Sequence, residues 1–244
     1  MVSTSPIAVW PVKTRLFEGL DETVLRPIRR AAVIRHIGPN KPVTVAGEFP
    51  HSMFLLQSGR ARFWYCDAKS GREITVILVT SGSVIGVVSI LPNPPAYVLS
   101  ASTITECEFL AWDHRTACGF AKAHPRIFEN GFRIAIDALS VYRNRHLNAI
   151  TENAESRLAG ALLDLSTKIG KPEPSGIEVK VTNEQLGSLS DVGVFTTSRL
   201  LSKWERARQI EKHRGKITLR SPEHLIHEHH KSIISEQSVA TVRS

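Results

Sequence analysis

The chain has 244 residues and is 42% hydrophobic, which is enough for one large or two modest globular cores. Its 31 lysine and arginine residues outnumber 23 aspartate and glutamate residues, and the net charge of +8 favours a polyanionic partner. No charged N-terminal region leads into an apolar run, and no run reaches the length of a membrane span. We therefore expect no signal peptide and no membrane partner, and we place the protein in the cytoplasm.

The barrel region, residues 42–113, consists of short β-branched and aromatic runs separated by turn residues, which predicts an all-β barrel or sandwich. Gly47, Gly59, Gly71 and Gly82 fall between the runs, where a turn needs a positive φ. The predicted strands are residues 43–45, 53–57, 61–66, 74–79, 83–90, 96–104 and 107–112.

Beyond His114, glycine and proline become rare and apolar residues recur at helical spacing through to Leu165. Two apolar stripes run along the surface of this helix, so one stripe can pack on the barrel of the same subunit and the other on a second subunit. The alternative is a helix buried within one subunit. The stripe predicted to form a homodimer interface, with its average spacing of 3.5 residues, contains Phe128, Phe132, Ala135, Leu139, Tyr142 and His146.

A pair of short helices is predicted near the C-terminus. Thr182 has the chemistry of an N-cap for a helix through Leu189, and residues 191–193 form a turn before a second helix at residues 195–207. Gly187 is placed where the two helices cross closely. We expect residues 166–176 to be a loop, residues 177–181 a strand and the segment from His227 a polar tail.

One face of the second helix, carrying Val194, Phe195, Ser198 and Arg199, is predicted to be exposed and to contact DNA bases. After it, residues 209–219 read as a hairpin with a basic tip, which suits a wing that contacts phosphates. Any small helical hairpin can imitate the spacing of the two helices alone, so the interpretation depends on the basic wing as well.

From about Leu16 to Leu225 the chain resembles the CRP/FNR family of bacterial transcription regulators. Residues 46–86 resemble the family's cyclic-nucleotide-binding segment, and residues 182–204 resemble its helix-turn-helix signature. The resemblance implies an α+β fold: a double-stranded β-helix or jelly-roll sensor barrel (residues 1–120), a dimerisation helix (121–152), a winged helix-turn-helix (153–226) and a polar tail (227–244). It also implies an RNA polymerase partner.

The recognition helix departs from the family pattern at its start, where Gly193, Val194 and Phe195 replace the usual Ser-Arg-Glu. Arg199 keeps the later arginine position, which can pair with guanine O6 and N7. The operator should therefore differ from that of cyclic-AMP-dependent members. The residues expected at phosphates, some from the resemblance and some from the basic wing, are Thr182, Gly193, Thr196, Thr197, Lys203, Lys212, His213, Arg214 and Lys216.

The sensor barrel departs from the family pattern too. Val87 follows Gly86 where members that bind cyclic AMP have a glutamate, and Tyr97 stands where they have an arginine. No arginine or lysine lies between Arg72 and Arg115 to pair with a cyclic phosphate, which argues against cyclic AMP. The candidate effector pocket is apolar, and the alternative is a filled core without a ligand; its residues are Val84, Gly86, Val87, Val88, Ser89, Tyr97, Val98 and Leu99.

The cofactor stays unknown at this stage. An iron–sulfur cluster needs four thiolates, and no cysteine precedes Cys66. Haem could use His36, His51 or His114, although a lone histidine is more often not a ligand. Cys66, Cys107 and Cys118 are expected to be buried reduced thiols. No metal site is predicted, and metal binding by the histidines of the tail at 227–230 would be incidental.

The resulting hypothesis is a homodimer that reads a palindromic DNA operator with half-sites about 34 Å apart and that changes conformation at residues 151–153. The signal is something other than cyclic AMP, or the protein is constitutively active. One rival is a cyclic-nucleotide-binding regulatory module without a DNA role. The other is an enzyme, for which the sequence offers no GxSxG, HExxH or P-loop motif.

Overall fold

The computed structural model describes residues 13–68 and 71–220, with Pro222 and Leu225. The chain divides into two compact units, residues 1–140 and residues 141–244, so the division falls inside a long helix. No helix in the described ranges has the length and apolar character needed to cross a bilayer.

The first unit is built on two four-stranded antiparallel sheets, with strand orders β1-β8-β3-β6 and β2-β7-β4-β5. The chain passes repeatedly from one sheet to the other, and the first strand pairs with the last, as in a jelly-roll barrel. The predicted fold class is therefore confirmed. The strands are β1 (Val33–Ile37), β2 (Pro42–Thr44), β3 (Ser52–Ser58), β4 (Ala61–Cys66), β5 (Glu73–Val79), β6 (Val84–Ile85), β7 (Ser100–Thr103) and β8 (Cys107–Asp113).

Two of the predicted strands are wrong over part of their length. The run 83–90 is a strand only at β6, because Gly86 adopts φ 75° and turns the chain into a 3₁₀ helix at Val87–Ile90. The run 96–104 is a strand only at β7. An apolar run by itself does not distinguish a strand from a turn that is buried against it.

Two elements at the start of the barrel were not predicted, namely β1 and the helix α1 (Glu22–Arg30). Both are tied to β8: strand β1 pairs with it along its length, and Trp112 donates its indole N–H to the carbonyl of Ile28 at 2.8 Å. Trp112 is 1% exposed and Ile28 also 1%, so this hydrogen bond lies in the core.

The helices that follow the barrel are α2 (His114–Ala123), α3 (Pro125–Thr151) and α4 (Ala154–Ile169). Asn153 separates the last two, because its side chain accepts the backbone N–H of Ser156 at 2.9 Å and caps α4. The chain thus breaks where the sequence placed a hinge, while movement there stays a prediction. The predicted loop at 166–176 is wrong over much of its length, since α4 extends to Ile169 and Lys171–Glu173 forms a strand.

The second unit contains a small antiparallel sheet of order β11-β12-β10-β9, with α4 and two further helices. Its buried core includes Leu158, Leu162, Leu186, Leu201 and Trp204. This is a winged helix-turn-helix, as predicted. The elements are β9 (Lys171–Glu173), β10 (Gly176–Val179), α5 (Asn183–Ser190), α6 (Val194–Arg206), β11 (Ile210–His213) and β12 (Lys216–Leu219).

The three cysteines are free thiols. Cys107 and Cys118 are buried as expected, but Cys66 is exposed, which corrects the expectation for that residue. Cys66 ends β4 beside a hairpin loop, where the side chain has left the barrel core.

Candidate nucleic-acid interface

Helix α5 begins with a capping box. The Thr182 hydroxyl accepts the backbone N–H of Gln185 at 3.1 Å, and the Gln185 side chain accepts the backbone N–H of Thr182 at 3.0 Å. Two donors that the helix itself cannot satisfy are thereby paired. Thr182 is exposed, and its hydroxyl proton remains available to a phosphate oxygen.

The turn between α5 and α6 is tight. Asp191 ends α5 in the left-handed region, at φ 54°. A Cβ atom on Gly187 would lie 2.7 Å from the Val192 carbonyl oxygen and 3.0 Å from Thr197 Oγ1. Only glycine allows this close approach, which agrees with the crossing predicted at Gly187.

One side of α6 is buried and holds the helix against the unit. Leu200, Leu201 and Trp204 lie on this side, and the Trp204 indole N–H is donated to Glu155 on α4 at 2.9 Å. Thr197 also lies there and is 0% exposed. This burial corrects the expectation that Thr197 contacts a phosphate, because no ligand oxygen can reach its hydroxyl.

The opposite side of α6 is open to solvent. Phe195 is 90% exposed and Val194 is 37% exposed, and Ser198 and Arg199 are exposed beside them. Arg199 forms no ion pair or hydrogen bond with any residue that the structure describes. All four residues predicted to contact bases therefore share one accessible face, and its cation is uncompensated.

The start of α6 has no side-chain cap. Gly193 is the N-cap residue and is exposed, and a Cβ placed on it would meet nothing within 4 Å. Thr196, half-buried, follows in the first turn. Backbone N–H groups at such an end suit an anion such as a phosphate.

The wing is the hairpin β11–β12, and two of its lysines are already paired. Lys212 Nζ donates to Ser202 Oγ at 2.8 Å and lies 3.1 Å from Glu205, both on α6. Lys216 Nζ lies 2.5 Å from Glu178 on β10. Hydrogen bonding from these lysines lowers the pKa of the Glu205 and Glu178 carboxyl groups. The structure thus corrects the picture of Lys212 and Lys216 as free phosphate contacts, because both first hold the wing in place.

The remaining predicted phosphate contacts differ in their surroundings. His213 and Arg214 are exposed at the tip of the wing. Lys203 instead donates to both carboxylate oxygens of Glu155, at 2.8 and 2.9 Å, so it is paired with α4.

Sequence reasoning missed Arg157, which holds the end of α5. It donates to the carbonyl oxygens of Glu152 at 2.6 Å, Ser190 at 3.1 Å and Asp191 at 3.1 Å. A cation at a helix C-terminus is favourable because the last carbonyl groups carry partial negative charge. No spacing rule reveals this role, since Arg157 and Ser190 lie 33 residues apart.

In the barrel, the candidate effector region is closed by internal hydrogen bonds. The Tyr97 hydroxyl donates to the Ser52 carbonyl at 2.8 Å, and the Ser89 hydroxyl donates to the same oxygen at 3.0 Å. A Cβ on Gly86 would lie 3.2 Å from the Tyr97 ring, so the ring rests on Gly86. Burial raises the pKa of the Tyr97 hydroxyl, which therefore stays a neutral donor at physiological pH.

Not every predicted pocket residue faces this region. Val98 is 83% exposed, which corrects its placement in a pocket, because its side chain is in solvent. Val84 and Val87 pack instead against the core cluster beneath the helices, and Val88 and Leu99 are half-buried. Between the sheets, Phe54 and Phe63 pack against the buried cluster that includes Phe109, and the Phe54 and Phe109 ring centres lie 6.0 Å apart.

A small apolar cavity of about 10 Å³ lies between the barrel and its helices. That volume holds about one water molecule, so it is not an effector pocket as it stands. The residues lining it are Phe17, Ile28, Met53, Trp112, Ala117, Phe120 and Ile127.

The three histidines considered as haem ligands have different surroundings. His36 is near Glu108 at 3.9 Å, His51 is exposed, and the Nδ1 atom of His114 is 2.9 Å from the Ser89 carbonyl. Within the described ranges no group of three or more His, Cys, Asp and Glu residues could hold a metal ion. The histidines at 227–230 lie outside the described residues.

The face of α3 predicted to dimerise is open along most of its length. Phe132 and Leu139 are 68% and 62% exposed, and Ala135, Tyr142 and His146 are exposed as well. Phe128 is the exception, because it is half-buried against its own barrel core. This corrects its assignment to the dimer stripe. Three further apolar residues are exposed on α3 and were not part of the predicted stripe, namely Ile136, Leu147 and Ile150.

Comparisons with known proteins match both units. Residues 34–122 match the family model of the cyclic nucleotide-binding domain, and residues 156–228 match that of the Crp-like helix-turn-helix domain. No curated protein matches the chain in sequence.

Solved structures share the fold over most of the chain. The c-di-GMP-responsive global regulator CLP of Xanthomonas campestris is similar with a TM-score of 0.71 and 16% identity, over 82% of this chain and 99% of that chain. FixK2 of Bradyrhizobium japonicum is similar with a TM-score of 0.70 and 16% identity, over 80% of this chain and 96% of that chain. A CRP-family transcriptional regulator of Thermus thermophilus is similar with a TM-score of 0.67 and 19% identity, over 80% of this chain and 96% of that chain.

Proposed function

Because the chain belongs to the CRP/FNR family of transcription regulators, we propose that it acts as a homodimer that binds a palindromic DNA operator. The observation that carries this proposal is the open face of α6, where Arg199 has no internal partner among the described residues. A planar guanidinium of this kind can donate two parallel hydrogen bonds to guanine O6 and N7 in the major groove.

Phosphate contacts would come from groups that remain accessible. These are the Thr182 hydroxyl, the uncapped start of α6 at Gly193 and Thr196, and the wing tip at His213 and Arg214. Lys203, Lys212 and Lys216 would contribute only by exchanging a carboxylate partner for a phosphate. The net charge of +8 supports the general attraction to DNA.

Dimerisation is supported by the apolar side chains that α3 leaves in solvent, chiefly Phe132, Leu139 and Ile150. Exposed apolar residues grouped on one helix mark an association surface. A second copy of the same helix satisfies this surface symmetrically and places two α6 helices on one DNA duplex. RNA polymerase is the expected further partner of a dimer bound in this way.

The signal to the barrel is proposed to be something other than cyclic AMP, or absent altogether. Tyr97 takes the position of the phosphate-binding arginine, and its hydroxyl is committed to the Ser52 carbonyl. The aromatic side chains of Phe54, Phe63 and Phe109 occupy space between the sheets. Neither arrangement offers a charge-assisted donor to a cyclic phosphate.

The test is selection of bound sequences from random DNA by the wild-type protein, beside Arg199→Ala. The matched control is Arg26→Ala, which removes an exposed arginine from α1 of the barrel. We expect the wild type to select a palindrome. Arg199→Ala should relax the preference for guanine at one symmetric pair of positions and lower the binding free energy by about 1–3 kcal/mol there. The control should select the same palindrome as the wild type.

Two results would count against the proposal. Equal weakening on all sequences would make Arg199 a phosphate contact instead of a base reader. A protein that stays monomeric and shows no sequence preference at low salt would remove the proposed function entirely.

A further inference from the structure

Phe195 is an aromatic residue that the described chain leaves uncovered. It is the second residue of α6 and is 90% exposed, whereas the buried side of the helix is formed by Thr197, Leu200, Leu201 and Trp204. Phenylalanine is also a weaker helix former than alanine or glutamate. The fold of the second unit therefore gives no reason for an aromatic ring at this position.

The surroundings of Phe195 point to a ligand that is apolar and close to an anionic surface. Val194, beside it, is 37% exposed, and a Cβ on Gly193 would meet nothing within 4 Å. Arg199 lies four residues further along the same face, and it has no partner among the described residues. Apolar side chains beside an uncompensated arginine do not suit an apolar protein core.

The start of α6 offers neither of the side-chain types that are specific for cytosine or adenine. Residues 194–198 are Val, Phe, Thr, Thr and Ser, so no carboxylate is present for cytosine N4 and no amide for adenine. The apolar group in the major groove is the C5-methyl group of thymine. Side chains four residues apart on a helix lie about 5–6 Å apart, which corresponds to roughly two base-pair steps of about 3.4 Å.

We propose that Phe195 determines specificity by packing against the methyl group of a thymine within about two base pairs of the guanine read by Arg199. This inference rests on the proposed DNA-binding function and adds a base to the half-site. Phe195 takes no part in hydrogen bonding, so its contribution is the apolar contact alone.

The experiment uses the full-length protein and the operator obtained by selection. Each thymine in a half-site is replaced in turn by deoxyuridine, which removes only the methyl group. At one symmetric pair of positions the replacement should weaken binding about three- to fourfold per half-site, as expected for one methyl lost from an apolar contact. At other thymines binding should not change.

The decisive measurement is the same replacement with Phe195→Ala. This variant should bind the thymine operator more weakly and show no further loss with deoxyuridine, because the methyl has lost its partner. Phe195→Leu should keep part of the thymine preference. Val98→Ala, which truncates another exposed apolar residue in the barrel, should keep all of it. Thermal unfolding of each variant checks that it is folded.

The outcomes separate this inference from the proposed function. If deoxyuridine is tolerated everywhere, or costs the same in wild type and Phe195→Ala, the inference is overturned, while Arg199-dependent selection leaves the proposed function standing. If no sequence is selected at all, both are overturned.

Discussion

Arg145 on α3 forms a two-point ion pair with Asp191 in the turn before α6. Its Nη2 atom lies 2.6 Å from Asp191 Oδ1 and its Nε atom 3.2 Å from Oδ2. The same Nη2 donates to the Ser188 carbonyl at 2.7 Å. The last turns of the long helix are thus fastened to the turn that sets the direction of the recognition helix.

Replacing Arg145 should loosen the second unit. We expect Arg145→Ala to lower the free energy of unfolding of this unit by about 1–2 kcal/mol, since a charge-assisted pair and a carbonyl contact are lost at a partly exposed site. Arg145→Lys should recover little, because an ammonium cannot make the two parallel bonds. The measurement is chemical unfolding of both variants.

A double-mutant cycle with Asp191→Asn isolates the pair, and asparagine tolerates the left-handed backbone of this position. A coupling energy near zero would show that the two side chains contribute independently. Arg143→Ala on the same helix is the control, because among the residues that the structure describes Arg143 hydrogen-bonds only its neighbour Asn144.

Gly187 should tolerate no side chain. Gly187→Ala places a Cβ 2.7 Å from the Val192 carbonyl oxygen, and we expect about 1–3 kcal/mol of destabilisation from the forced separation of α5 and α6. Gly193→Ala is the matched control, since its Cβ would meet nothing within 4 Å at φ −60°. Thermal unfolding compares them, and equal melting temperatures would contradict the close crossing.

Neutralising Glu205 should strengthen DNA binding. Glu205→Gln releases Lys212 from its ion pair and removes a negative charge beside the wing, so we expect tighter binding and a salt dependence steeper by about one released ion. Affinities measured at several salt concentrations provide the test. An unchanged slope would mean that Lys212 stays bound to Ser202.

The Glu205 carboxylate should also make the stability of the protein fall at acid pH. Hydrogen bonding from Lys212 lowers the Glu205 pKa below its usual 4.5, so the folded protein binds fewer protons than the unfolded chain in that range. The stabilisation is present above the unfolded pKa and is lost as the pH falls through the lower folded value. Below about pH 4.5, Glu205→Gln should therefore lose less stability with falling pH than the wild type does.

Charge on the open face of α3 should prevent dimerisation. Phe132 and Leu139 are 68% and 62% exposed. Phe132→Glu and Leu139→Glu should each raise the dimer dissociation constant by roughly tenfold or more, because the dimer then no longer buries an apolar side chain at that position. Asn144→Glu, at an exposed polar position on another side of the same helix, is the control. Sedimentation analysis that finds unchanged dimers for both glutamate variants would place the interface elsewhere.

Cyclic nucleotides should not bind the barrel in the usual way. Calorimetry with cyclic AMP and cyclic GMP is expected to show no saturable heat at millimolar concentrations, because Tyr97 provides a neutral hydroxyl already donated to Ser52. Saturable binding by either nucleotide would overturn this account of the sensor.

Local chemistry made several features predictable. Thr182 and Gln185 form a capping box because their spacing alone brings each side chain to the other's backbone. The alternation of Ala61 and Phe63 into the barrel core follows from the period of a strand. The helical spacing beyond His114 was also informative, but it placed Phe128 in the dimer stripe, and contact with the barrel buried that residue instead.

The sequence by itself determined that a β-rich region comes before a helical one, that two short helices and a basic hairpin follow, and that one face of α6 is exposed, because each depends on periodicity and on residues close in the chain. The jelly-roll and winged-helix topologies came from the resemblance to a known family. Only the tertiary structure decided that Lys212 and Lys216 are paired, that Thr197 is buried, and that Arg145 and Arg157 hold the turn before α6. A charged side chain is free or committed according to which distant group lies within about 3 Å, and sequence spacing carries no information about that distance.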